Sequence, residues 1–200
     1  DGHRLSKVQD LQFSYTADAM QVIMPVKALQ LLSRNIGAAK EMGIAISRDH
    51  ITFKLGETTI YSKVINGQYP AYERVIPNDN NMVMHVERDL LSAAVRRSSI
   101  FASQHTHQMR WSLEPNALTI VAEDAEAGGN SNETIPVEYS GDSIEIGYNA
   151  NYVLEIMRNL DADQAIFKLK DGGSAAIIEP LTPPDGLKFM MLLMPIRLNE

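Results

Sequence analysis

Residues 143–196 read SIEIGYNANYVLEIMRNLDADQAIFKLKDGGSAAIIEPLTPPDGLKFMMLLMPI, and this stretch decides the fold. It opens on strand-like SIEIG and reaches Asn149, a residue type that caps helices through its side chain. It then runs through ANYVLEIMRNL and closes with three strand-like runs, AIFKLK, SAAIIEP and FMMLLMPI. Val153, Leu154, Met157 and Leu160 recur at helical spacing and point inward, leaving Asn151, Glu155 and Arg158 outward.

The same order occurs twice upstream. MQVIM (20–24) leads through Pro25 to the helix VKALQLLSRNI and the strands IAIS, ITFKL and TIYSKVI. MVMHV (82–86) leads to ERDLLSAAVRRSSIFAS and then QMRWSLE, ALTIVAE and ETIPVEY. Three repeats of about 55–60 residues predict an array in which each unit covers its neighbour's open face. Function in such an array belongs to the assembled surface. In the first helix Val26, Leu29, Leu32 and Ile36 form the expected apolar stripe, with Lys27, Gln30 and Arg34 opposite. In the second Leu90, Leu91, Ala94, Val95 and Phe101 go inward, and Arg88, Ser92, Arg96 and Ser99 outward.

Between the repeats, NGQYPAYERVIPNDNN (66–81) is the best boundary, marked by two prolines, Gly67 and an Asn/Asp cluster. Repeats two and three are joined tightly through Tyr139-Ser140-Gly141-Asp142. At the start, Leu5–Val8 reads as an orphan strand, followed by a linker over 9–19; so terse an opening leads us to expect a truncated N-terminus. The 200 residues are 44% hydrophobic with no cysteine, which excludes disulfides, thiolate nucleophiles and Cys-based zinc sites. No apolar run is long enough to span a membrane, and no signal peptide opens the chain. The net charge of −7 argues against uniform coating by nucleic acid, yet each helix keeps outward cations while acids gather elsewhere, as in Glu123-Asp124-Ala125-Glu126.

Four segments, DGHRL (1–5), NGQYPAYERVIP (66–77), IEIGYNANYVLEIMRNL (144–160) and MLLMPIRL (191–198), resemble in order and spacing the bacterial sliding clamp family, the beta subunit of DNA polymerase III. The resemblance covers essentially the whole chain. It implies an α+β DNA-clamp fold of repeated βαβββ units, with helices lining an inner face and antiparallel sheets on the outer rim. It places residues 1–79 in the later part of the middle domain and 80–200 in a complete third domain. It implies a cytoplasmic, non-enzymatic processivity factor that needs no cofactor. In the full-length protein this is a homodimeric ring, which a chain with one side of the subunit contact does not close alone. The partners implied are duplex DNA, the polymerase III catalytic subunit, the clamp loader, and other polymerases and repair proteins bearing short linear motifs.

The family's motif pocket maps onto Gly2, His3, Arg4, Leu5, Pro70, Arg74, Val75, Gly173, Ala175, Leu192, Met194, Pro195, Ile196, Arg197 and Leu198. Leu5, Val75, Leu192, Met194 and Ile196 suit an apolar cup for leucine or phenylalanine anchors, and methionine adapts to many partners. Pro70 and Pro195 fix the backbone, while His3, Arg4, Arg74 and Arg197 suit a polar rim. Asn199 and Glu200 extend past the family's usual end and add a negative charge beside it. For loose, sequence-independent phosphate contacts the candidates are Lys27, Arg34, Arg88, Arg96 and Arg158.

Other constellations carry less. His105 and His107 lack a third ligand at metal spacing. Asp124 and Glu126 alternate as an acid pair but run into Gly128-Gly129-Asn130-Ser131-Asn132, which reads as a flexible loop without a phosphate-loop Lys. The alternatives are a stand-alone peptide-binding adaptor of clamp fold, or a hydrolase using Asp124 and Glu126.

Overall fold

The structure is a computed structural model that describes residues 1–14, 16, 18–37, 39, 41–124 and 128–198. Glu126, Asn199 and Glu200, singled out above, lie outside those residues. In chain order the elements are β1 (Arg4–Asp10), α1 (Val26–Asn35), β2 (Gly43–Ile46), β3 (His50–Leu55), β4 (Thr58–Lys63), β5 (Met82–Glu87), α2 (Arg88–Ser98), β6 (Gln108–Glu114) and β7 (Ala117–Asp124). There follow β8 (Gly129–Pro136), β9 (Glu138–Tyr139), β10 (Ile144–Asn149), α3 (Ala150–Asn159), β11 (Gln164–Leu169), β12 (Ala176–Pro180) and β13 (Leu187–Leu193). They divide into two compact units, residues 15–71 and residues 1–14 with 72–200.

In the larger unit two βαβββ repeats exchange their first strands. β5 pairs with β11 of the following repeat, and β10 pairs with β6 of the preceding one. The result is an antiparallel four-stranded sheet, β10-β6-β7-β8, and an antiparallel six-stranded sheet, β1-β13-β12-β11-β5-β9. Helices α2 and α3 pack on each other, and one core joins Leu91, Val95, Val153 and Met157 of the helices to Trp111, Ile120 and Phe167 of the sheets. Trp111 meets Tyr148 edge-on at 5.0 Å and Phe167 at 5.7 Å. Strand alternation sets this up, since Met109, Trp111 and Leu113 of β6 are buried while the residues between them are not.

Three expectations change here. Leu5–Val8 is no orphan: β1 pairs with β13 along its whole length, from Arg4 opposite Leu193 to Asp10 opposite Leu187. The compact units therefore run differently from the 79/80 family boundary. Residues 129–132 are not a loop, because they continue β8 against β7, with Gly129 opposite Asp124 and Asn132 opposite Val121; ladder pairing outweighs their weak strand propensity. Phe101 is not inward. The α-helix stops at Ser98, and the tight 3₁₀ turn Ser99–Phe101 leaves that ring 40% exposed.

The smaller unit is a single repeat. Its three-stranded sheet β2-β3-β4 packs Ile51, Phe53, Leu55 and Ile60 with Leu32, Met24 and Val64. Of the expected α1 stripe only Leu32 joins that cluster; Val26, Leu29 and Ile36 are exposed, and the buried residue of the helix is Ala28. The comparison with α2 and α3 gives the reason. Leu91 and Val153, fourth in their helices, are wholly buried in the core that two repeats share, whereas Leu29, fourth in α1, is 40% exposed in a unit with one helix among its described residues.

Candidate functional site

The pairing of the first and last strands brings several of the predicted site residues together. Leu5 lies opposite Leu192, and beyond the strand end the Met194 N–H donates to the His3 carbonyl at 2.8 Å. Alternation sends Met191 and Leu193 into the main core and Met190 and Leu192 to the opposite face. There Leu5, Ile76, Ala175, Ile177, Met190 and Leu192 form a separate apolar cluster. Val75 and Arg74, exposed, sit on the 3₁₀ turn Tyr72–Val75. The Lys7 ammonium lies 5.4 Å from the centre of the Tyr72 ring. Pro70 is exposed in the smaller unit.

The tail then crosses to the second sheet. Ile196 bridges to Gly147 of β10, its N–H donating to the Gly147 carbonyl at 2.8 Å. Gly147 is required there, because a Cβ would strike the Ile196 carbonyl oxygen and touch the Leu198 side chain. Pro195, Ile196 and Leu198 are half-buried along this crossing, while Met194 and Arg197 stay exposed.

On the rim Arg4 is held on two sides. Its guanidinium donates to Asp1 at 2.9 Å and to Glu155 at 2.6 Å, and lies 4.5 Å from the Tyr152 ring centre. His3 stacks on the same ring at 5.8 Å. Tyr152 is the residue that the sequence reading missed. The signal was Asn149, whose side chain accepts from the Asn151 and Tyr152 N–H groups at 2.9 and 3.3 Å and thereby sets Tyr152 in the first turn of α3. Gly2, at φ 88°, turns the chain into β1. Gly173 sits in the β11–β12 turn, where Asp171 accepts from its N–H at 2.9 Å. The Ser174 hydroxyl, and then the Gly173 N–H, hold the Asp171 carboxyl below its ordinary pKa. Ala175 is buried, and its carbonyl accepts from the Asn80 amide at 2.9 Å.

The helix cations fall into two groups. Arg88, Arg96 and Arg158 line one groove of about 290 Å³ between α2 and α3, together with Ser92 and Asp89. Arg88 is held by Asp89 at 2.9 Å and by the Leu160 carbonyl at 3.2 Å; Asp89 keeps its guanidinium more firmly protonated than usual. Arg96 and Arg158 make no ion pair among the described residues. Lys27 and Arg34 line a different groove, of about 440 Å³, between α1 and β4. No group of three metal-ligating side chains occurs among the described residues, and His105 and His107 lie in the turn before β6. Asp124 ends β7.

Comparison with known proteins fits this architecture. The family model described as the C-terminal domain of the DNA polymerase III beta subunit matches residues 73–197, and that of its central domain matches residues 1–71. The chain belongs to the DNA polymerase III beta subunit family. Among relatives of that family, the beta sliding clamp of Caulobacter vibrioides is 32% identical over 199 residues, covering 98% of this chain and 52% of that protein. The beta sliding clamp of Pseudomonas aeruginosa is 32% identical over 200 residues, covering 99% and 53%. A crystal structure of the DNA polymerase sliding clamp from Pseudomonas aeruginosa with ligand superposes at a TM-score of 0.92 with 32% identity, over 99% of this chain and 53% of that one. Another from that organism, bound to griselimycin, superposes at 0.91. The chain spans about half the length of the curated relatives it matches. The α+β clamp fold, with its exchanged βαβββ repeats, is that of the family.

Proposed function

We propose that this chain is the part of a bacterial sliding clamp that offers a motif-binding pocket to DNA polymerases, clamp loader and repair proteins, within a homodimeric ring around duplex DNA. The observation that carries the reading is the β1–β13 seam, which lays Leu5, Leu192 and Ala175 in an apolar cluster apart from the core and leaves Met194 exposed at its end. A surplus apolar cluster beside an exposed methionine suits leucine or phenylalanine anchors of an extended motif. Val75, Gly173 and Ile196 extend the cup, and Gly2, His3, Arg74, Pro195, Arg197 and Leu198 its margins; Tyr152 joins them. Arg4 positions Tyr152, with its guanidinium held by Asp1 and Glu155 beside that ring.

In this reading residues 1–79 are the later part of the central domain and 80–200 the third, a division close to the limits of the two family matches. The arginines between α2 and α3 meet phosphates without reading sequence. The free edge of β8, beside Ile100 at 76% exposure, is the face to which another subunit's sheet adds. The protein acts in the bacterial cytoplasm as a non-catalytic accessory of the polymerase and requires no cofactor. No helix among the described residues is long and apolar enough to cross a membrane.

The test is calorimetric titration with a Gln-Leu-Ser-Leu-Phe peptide. Binding in the micromolar range, about −8 kcal/mol, that weakens on Met194→Ala supports the pocket. Failure to bind, both here and in a chain extended to its relatives' length, overturns it.

A further inference from the structure

We propose that Asn80, assisted by Asp79, is a positioning residue of the motif pocket. It clips the connector that carries Val75 and Ile76 to the β11–β12 hairpin that carries Gly173 and Ala175, and so sets the spacing between two walls of the cup. β11 and β12 pair from Ala165 opposite Pro180 to Lys168 opposite Ile177, and past that pair the hairpin runs on through the Gly173 turn. The Asn80 amide takes over where the pairing ends. Its Nδ2 donates to the Lys168 carbonyl at 2.8 Å and to the Ala175 carbonyl at 2.9 Å, one on each arm of the hairpin. A primary amide supplies two donors from one nitrogen, which is what two neighbouring carbonyls need. One residue earlier, the Asp79 carboxylate accepts from Lys170 Nζ at 2.7 Å. That hydrogen bond, and then the charge of Lys170, hold the Asp79 carboxyl below its ordinary pKa.

Both ends of the clip reach the cup. Ala175 is buried with Ile177, Met190 and Leu192, and Ile76, four residues before Asn80, packs on the same cluster. Between Ile76 and β5, which begins at Met82 opposite Leu169, the connector is fastened at Asp79 and Asn80. The two fastenings differ in strength. Asp79 and Lys170 stand largely in water, where an ion pair contributes little. The Asn80 bonds are partly buried, and losing them leaves two carbonyls without that donor. Asn80 is therefore the residue on which the spacing depends. All these residues belong to one compact unit and to the stretch matched by the C-terminal domain of the family. The inference rests on the motif-pocket reading for what the cup receives, whereas the clip rests on these contacts alone.

The experiment joins two readouts on the whole chain: amide hydrogen exchange over residues 72–81, measured by mass spectrometry, and titration with the Gln-Leu-Ser-Leu-Phe peptide. Asn80→Asp keeps the shape of the side chain but turns two donors into acceptors facing two carbonyls. It is expected to speed exchange over 72–81 and to weaken the peptide about tenfold. Asn80→Ala, which removes the donors without adding a charge, is expected to give the same pattern more weakly. Lys170→Ala is expected to weaken the peptide at most about threefold. Ile120→Val, a change in the buried core at the other sheet, is expected to lower the melting temperature and leave both readouts unchanged, which separates positioning from general stability. Wild-type exchange in both Asn80 variants overturns the inference, as does faster exchange with unchanged peptide affinity. Faster exchange in a chain that binds no peptide, even when extended to its relatives' length, leaves the clip but removes the pocket reading and the positioning role with it. Peptide binding that the Asn80 variants leave intact removes the positioning role alone.

Discussion

The Met194 N–H donates to the His3 carbonyl at 2.8 Å, which carries the β1–β13 pairing one step past the end of both strands. That bond fixes the backbone of an exposed methionine while leaving its side chain free to move. Leu192, two residues earlier, is 2% exposed and packs with Leu5 and Ala175.

The two residues therefore separate binding from stability. Met194→Ala removes anchor contacts only, and we expect about a tenfold loss of motif-peptide affinity, ~1.4 kcal/mol, with an unchanged melting temperature. Leu192→Ala opens a cavity and is expected to cost about 2–5 kcal/mol of stability as well. Calorimetry and thermal unfolding on the same samples check this; a matching drop in melting temperature for Met194→Ala would show that residue to be part of the core.

Gly147→Ala tests the tail crossing. The added methyl would meet the Ile196 carbonyl and the Leu198 side chain, so Pro195–Leu198 must lift away from β10. We expect about 1–3 kcal/mol of destabilisation together with weakened peptide binding. Gly56→Ala is the control, since nothing lies within 4 Å of its Cβ although its φ is 58°; it strains the backbone but leaves the tail in place and is expected to leave peptide affinity unchanged.

Much of this was legible in the sequence because the repeats agree with one another. The strands Gln108–Glu114 and Ala117–Asp124, and the helix begun by Asn149, fall where alternation and capping put them. What local pattern could not supply was pairing over distance. Nothing near Arg4–Asp10 announces that its partner is Leu187–Leu193, and nothing in GNSN (129–132) offsets its turn-like composition except a register fixed by β7. Helix α1 misled for the same reason. Its periodicity matches that of α2 and α3, but an apolar stripe is buried only where another helix or sheet meets it, and Val26, Leu29 and Ile36 stay exposed among the described residues of their unit. In the proposed site, the aliphatic cup came from the resemblance to the family, whereas Tyr152 needed the three-dimensional approach of His3 and Arg4 to be seen.

Asp171 gives the pH dependence of the turn bearing Gly173. Its folded-state pKa lies below the ordinary 3.8, chiefly through the Ser174 hydroxyl and then the Gly173 N–H. A depressed carboxylate contributes stability that is fully present above the unfolded value and is lost as pH falls through the folded one. Wild type is thus expected to melt above Asp171→Asn at pH 6, and the difference between them to shrink below pH 3.8. Thermal unfolding of the pair across pH 2.5–7 reads it directly, because the other carboxylates cancel in the difference; a constant gap would assign the effect to the side chain's shape rather than its charge.

The arginine groove predicts a salt law. Arg88, Arg96 and Arg158 converge between α2 and α3, and Arg96 and Arg158 are spared ion pairs among the described residues, whereas Arg88 is shared with Asp89 and the Leu160 carbonyl. A cation already held by the protein releases fewer counterions from DNA, so the three should contribute unequally. Arg96→Ala and Arg158→Ala are each expected to lower the slope of log affinity for duplex DNA against log salt by about 0.9, and Arg88→Ala by less. Because no base edge is contacted, the loss should be equal for duplexes of unrelated sequence. Anisotropy titrations over a range of low salt concentrations measure the slopes, and equal slopes for wild type and the Arg96→Ala/Arg158→Ala double variant would remove this groove from the DNA-facing surface.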